Sequence, residues 1–216
     1  MPGAREDKHR FELDGGTVAL DFVNTVSGMR SGGNPRDRLA GYPDIVYWAE
    51  QVRLIDSRRA AELYALAERE PEQAAAAFGE AIRRREALHD VVLSAIEGRA
   101  PADAGLEIVN AWIADALARR RFRVAAPGRF EAALEEDGNL LSFLRPVALD
   151  AAELLEDEVS RDLVRICEER QIGRCDWLFV DTSRNHSRRF CSMQDCGNRA
   201  KQRRHYQRGK SSRREP

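Results

Sequence analysis

The chain has 216 residues, 43% hydrophobic and 33% charged, which suffices for one large domain or for a domain with a small appendage. No stretch approaches the roughly 18 consecutive apolar residues of a membrane span, and the polar first 16 residues lack the apolar core of a secretory signal, so no membrane association and a cytoplasmic location are expected. The net charge of −1 hides an asymmetry: residues 184–216 carry 11 Lys/Arg against 2 Asp/Glu, and the remainder carries 24 against 34. An acidic body with a cationic C-terminal segment points to a polyanion-binding appendage or to a solvated basic tail.

The fold opens at residues 11–26, FELDGGTVALDFVNTV. Asp14-Gly15-Gly16 is a turn signal, and the β-branched and aromatic run after it predicts a short strand, or a strand leading into a helical turn. Asp21, Asn24 and Thr25 interrupt the apolar run and are candidate ligand-binding residues, or equally the partners of a polar turn or cap. A Gly-rich loop follows, without the spacing or context of a phosphate-binding loop. Asp44 is expected to cap a helix with Ile45, Trp48, Ala49 and Val52 inward, and Ser57 to cap the next, whose stripe is Ala60, Leu63, Tyr64 and Ala67.

The longest helix is expected to start at Pro71 and to stop at Gly98, with Arg83, Arg84, Arg85 and Glu86 on its solvated face. Asp103 begins another, with Leu106, Val109, Ile113 and Leu117 inward and Trp112 on the flank. Phe122, Val124, Phe130 and Ala132 alternate about Pro127-Gly128 and predict a β-hairpin. A helix then runs to Arg145, and Pro146 starts a second one reaching about Ile166. The expected class is α+β: a mostly helical N-terminal domain with small β-hairpins over residues 11–165, then a zinc ribbon or knuckle ending in a basic helix over 166–210, and a basic tail over 211–216.

All four cysteines, Cys167, Cys175, Cys191 and Cys196, fall in one 30-residue window. Disulfides do not persist in a reducing cytoplasm, so the cluster points to one structural metal ion, zinc, held by two thiolate pairs. The Cys-x7-Cys half needs a loop that Gly173 can turn; the alternative is a buried Cys167 with His186 or His205 completing the site. Between the pairs, Trp177, Phe179 and Phe190 are expected to pack around the metal while Leu178 and Val180 face the other side. After Cys196, Arg199, Arg203, Tyr206 and Lys210 share one helical face, with Lys201, Arg204 and Arg208 beside it. A helix basic nearly all round does not bury itself. With Arg188 and Arg189 it forms the candidate nucleic-acid-binding set, in which Asn198 and Arg199 have the bidentate geometry that base edges accept. Asn198 is equally suited to capping the helix.

The stretch CDWLFVDTSRNHSRRFCSMQDCGNRAKQRRHYQR closely resembles the CGNR zinc-finger family, whose naming motif stands at Cys196-Gly197-Asn198-Arg199. GGTVALDFVNTV, DIVYWAEQVRLI and AIRRREALHDVV resemble the ABATE domain of stress-induced bacterial transcription regulators. The resemblance implies zinc, nucleic-acid binding with DNA favoured over RNA, and a first zinc ligand near Arg170, three residues after Cys167. The N-terminal body is then expected to sense a small-molecule ligand or to mediate homodimerisation. No nucleophile–base pairing or two-carboxylate arrangement is visible, and His89 stands alone on its helix, so a non-enzymatic protein is expected.

Overall fold

The structure is a computed structural model, described here for residues 10–30 and 35–211, with side chains through Gln207. The tail at 212–216 lies outside the described residues.

The first element is a helix, α1 (Val18–Val23), where a strand was expected. Thr17 caps it, its Oγ1 accepting from Leu20 N at 3.3 Å. A short, mostly buried apolar run shows too little periodicity to separate helix from strand. Here Ala19, Leu20, Phe22 and Val23 are all fully buried, at the centre of the molecule. Gly15 is obligatory at this corner: a Cβ there would lie 2.9 Å from the backbone nitrogen of Asp21.

Strands β1 (Val26–Ser27) and β2 (Arg36–Asp37) pair antiparallel and close the following loop. Helix α2 (Tyr42–Gln51) starts two residues before the expected cap, and Asp44 instead reaches back to accept from Ala40 N at 2.7 Å. Helix α3 (Ser57–Arg69) is capped by Asp56. Helix α4 (Pro71–Glu97) has the expected limits, with Gly98 left-handed at its C-terminus. In α5 (Asp103–Ala118) the inward face is rotated from expectation: Val109 and Trp112 are buried, whereas Leu106 and Leu117 are exposed. Trp112 meets the Phe22 ring at 6.2 Å and Trp48 meets it at 5.1 Å, so three aromatics from α1, α2 and α5 form the centre of the core.

The hairpin β3 (Arg120–Ala126) and β4 (Arg129–Leu134) forms about its Pro-Gly turn as expected. A 3-10 turn (Ser142–Leu144) leads into α6 (Arg145–Glu156), with Pro146 in its first turn, and α7 (Glu158–Leu163) follows. The expected helix to Ile166 ends early because Val164–Ile166 forms β5, antiparallel to β6 (Leu178–Val180). The last element is α8 (Asn198–Ser211).

Arg85, expected on a solvated face, is 2% exposed. Its guanidinium donates to Thr25 Oγ1 at 3.0 Å, to Asp37 at 2.6 and 2.8 Å, and to Glu86 at 2.8 Å. Paired on every side, a guanidinium survives burial that an unpaired one would not.

Candidate metal centre and nucleic-acid interface

Cys167 leaves β5 with its N–H bonded to the carbonyl of Trp177 at 2.9 Å. A 3-10 turn (Glu168–Ile172) follows, and Gly173 at φ 69° reverses the chain toward Cys175. That left-handed corner is what lets a Cys-x7-Cys spacing close on one point. On the other side, a π-type turn (Met193–Gly197) carries Cys191 into Cys196, closed by Gly197 N donating to Ser192 O at 2.9 Å. A Cβ on Gly197 would meet Met193 Sδ at 2.8 Å.

All four cysteines are buried, and their sulfurs lie within 4.8 Å of one another. Cys175 and Cys191 are 3.8 Å apart, and Cys191 and Cys196 3.6 Å. A tetrahedral zinc with bonds of about 2.3 Å places its sulfurs about 3.8 Å apart, so the cluster fits one zinc ion. These separations exceed a disulfide bond of about 2.05 Å, and all four thiols are free. Cys167 is one of the four clustered sulfurs, so neither His186 nor His205 is needed to complete a four-ligand site.

Each letter of the CGNR motif has a local task. Cys196 is a ligand, and Gly197 gives Met193 room. Asn198 Nδ2 donates to Gln194 O at 3.0 Å across the turn. Arg199 donates to Asp195 at 2.6 Å and to the Cys196 sulfur at 3.2 Å. A cation bonded to a ligand sulfur favours the thiolate that zinc requires. Asn198 and Arg199, the expected base contacts, thus each have a partner inside the finger.

Residues 164–209 match the CGNR zinc finger, and residues 16–158 match the ABATE family, described as "Putative stress-induced transcription regulator". The chain belongs to the ABATE family. A search of curated proteins found no match. In this ABATE chain the finger carries one structural zinc ion, and four thiolates leave no open coordination position for water.

The remaining candidate cations divide in two. Arg188 is turned inward: its guanidinium lies 4.4 Å from the Phe179 ring centroid and donates to the carbonyls of Asp14, Phe190 and Cys191. Arg203 pairs with the buried Glu169, one bond being 2.8 Å, and so ties α8 to the first metal turn. Arg189 pairs with Glu168 but stays exposed. Lys201 and Arg204 are exposed, and neither has an ion-pair partner among the described residues. The side chain of Arg208 lies outside the described ones.

The candidate ligand contacts of the body, Asp21, Asn24 and Thr25, all have partners within the chain, as the polar-turn alternative expects. Asn24 pairs like a strand with the backbone of Leu178, donating at 2.7 Å and accepting at 3.1 Å. Thr25 donates to Phe22 O at 2.8 Å and accepts from Arg85. Asp21 accepts from Gly15 N at 2.9 Å, and burial raises its carboxyl to about 6. Asn24 is one of several ties to the finger. Trp177 Nε1 donates to Val26 O at 2.6 Å, and Asp176 N donates to Gly28 O at 3.1 Å. Arg30 bridges Glu86 of α4 at 3.0 Å and Asp176 at 3.3 Å. The sequence analysis missed Arg30, Glu169 and Asp176, because separations such as the 146 residues between Arg30 and Asp176 leave no local signal.

His89 is buried on α4 with Nε2 unpartnered. Burial, reinforced by Arg30 and Arg170, lowers it to about 3 and keeps it neutral. Among the described residues no helix is long and apolar enough to cross a membrane.

Proposed function

We propose that this chain is a cytoplasmic, non-enzymatic transcription regulator that binds duplex DNA through the outer face of α8. The supporting observation is that α8 is half anchored and half free. Ala200 is buried beside the four cysteines, and Arg203 is tied to Glu169. Beside this anchored face Lys201 and Arg204 are exposed, without ion-pair partners among the described residues. Zinc acts structurally, fixing where this helix starts and which way it points. A cationic helix held at a set angle neutralises phosphates in register, which a loose tail does not. The ABATE body serves signal sensing or homodimerisation, consistent with the regulator description of its family.

The test is binding of duplex DNA, with structured RNA as competitor, across a salt series. Affinity should fall steeply with salt, and Lys201→Glu with Arg204→Glu should flatten the slope of log K against log salt by about 2. Affinity insensitive to salt would overturn nucleic-acid binding of either kind. Preferential displacement by RNA would overturn the DNA assignment alone.

A further inference from the structure

The β3–β4 hairpin is built unlike the rest of the body. From Arg120 to Ala132 every residue is exposed except Ala126, which is half-buried. The register pairs Val124 with Phe130 and Phe122 with Ala132, so these four side chains share one face. Phe122 is 73% exposed, Val124 70% and Phe130 69%. Arg121, Arg123, Arg129 and Glu131 alternate onto the other face. The hairpin is thus amphipathic with its apolar side bare. A lone two-stranded hairpin is marginal in water, and its apolar face needs a cover.

We propose that this face is a homodimer interface, covered by the same face of a second copy. This deepens the dimerisation half of the proposed function and is independent of its nucleic-acid half. Three observations select a second copy. First, the area suffices. Phe122, Val124 and Phe130 together expose roughly 400 Å² of apolar side chain, the size of the largest and often functional patch of a protein surface. Doubled by symmetry this gives about 800 Å², and Ala132 and the Arg120 stem on the same face, with the strand backbone, bring the total to roughly the 1,000 Å² of a specific interface. Second, the face is self-complementary: its apolar row can meet its own copy across a two-fold axis, and Arg120, its one charged side chain, stands at the end of the row away from the turn. Third, the charges permit it. Residues 1–183 carry 34 Asp/Glu against 24 Lys/Arg, so two bodies repel, but this face has no carboxylate. The arginines of the opposite face point away from the contact and are not brought together.

The experiment is analytical ultracentrifugation of the zinc-loaded full chain, without nucleic acid, over a range of concentrations. The wild type should sediment as a dimer that dissociates on dilution. Phe122→Ser with Phe130→Ser should be monomeric, at least tenfold weaker in self-association, with zinc content and helical circular dichroism unchanged. Ala132→Glu, which places a carboxylate on each side of the same contact, is the second variant and should also be monomeric. Arg121→Ala, on the other face, should leave the dimer intact. A wild type that is monomeric at every concentration would overturn the proposal. So would apolar-face variants that stay dimeric.

Discussion

Removing zinc should unfold more than the finger. Strand β6 sends alternate side chains to two cores. Leu178 and Val180, with Val164 of β5, belong to the core of the body, whereas Trp177 and Phe179 pack with the four cysteines. Structural zinc in small domains contributes about 10–16 kcal/mol of binding free energy, so the metal turns do not hold without it. Their collapse would release β5 and β6 and withdraw three buried aliphatic side chains from the body, at about 1.5–3 kcal/mol each. The resulting loss of roughly 5–9 kcal/mol compares with a total stability of about 5–15 kcal/mol for a typical domain. The expected outcome is one cooperative melting transition in the holoprotein. After chelation, or in Cys191→Ser, the far-ultraviolet circular dichroism of the body helices should melt at least about 10 °C lower, at a few degrees per kcal/mol. Trp177 reports on the finger and Trp48 and Trp112 on the body, so fluorescence of Trp177→Phe separates the two regions. A body transition unmoved by chelation would refute the reasoning, because the finger would then be a separately folding unit.

Three further outcomes are expected. Burial raises Asp21 to about 6, with Asp14 and Asp150 adding to the effect and the Gly15 N–H opposing it. The folded state thus binds this proton more tightly than the unfolded chain, and that stabilisation is present below about pH 4 and lost as pH rises through 6. At neutral pH the ionised group destabilises by at most about 3 kcal/mol. Asp21→Asn should therefore raise the melting temperature about twice as much at pH 8 as at pH 5, and equal shifts at both would refute the assignment. Arg85→Met should cost roughly 2–4 kcal/mol in urea denaturation, because Thr25 and Asp37 lose their buried donor; a change under about 0.5 kcal/mol would mean that the pairing only offsets its own desolvation. Arg199→Ala should weaken zinc about 10- to 100-fold in chelator competition by removing the donor to the Cys196 sulfur, and unchanged affinity would leave that contact without a role.

The sequence disclosed what is local. Pro71 and Gly98 punctuate α4 because φ-restricted and left-handed residues act at their own positions. Pro127-Gly128 turns the hairpin in the same way, and four clustered thiols reveal a metal site whatever the fold around them. Even the two-sided reading of Trp177 to Val180 holds, because strand alternation is a local property. What stayed hidden depends on distant partners. α1 is six residues long and buried except at the half-buried Val18 and Asp21, too short a run for its period to be read. Arg85 looks like any surface arginine until Thr25 and Asp37 come together around it. Asn24 reads as a ligand contact because its partner, the Leu178 backbone, lies 154 residues away. Arg188 likewise reads as a phosphate contact, and only the folded chain brings the Asp14 carbonyl to it across 174 residues.

These same distant contacts bear on how a state of the body would reach α8. The segment GGTVALDFVNTV holds β6 from two sides: Gly15 O accepts from Val180 N at 2.8 Å, and Asn24 closes on both backbone groups of Leu178. One strand register therefore fixes both cores, since a slip of a single residue would send Phe179 into the body and Leu178 toward the metal. Intermediate positions are not available to a strand with period two. A change in α1 or in the Arg30 bridge between Glu86 and Asp176 would act on β6 and on Asp176 beside Cys175. Because Arg203 ties α8 to Glu169 and Cys196 ties it to the metal, the cationic face would move with the thiolates. The coupling thus runs through hydrogen bonds on named residues. Asn24→Ala, which leaves the finger's four ligands untouched, is the substitution that should uncouple body from helix.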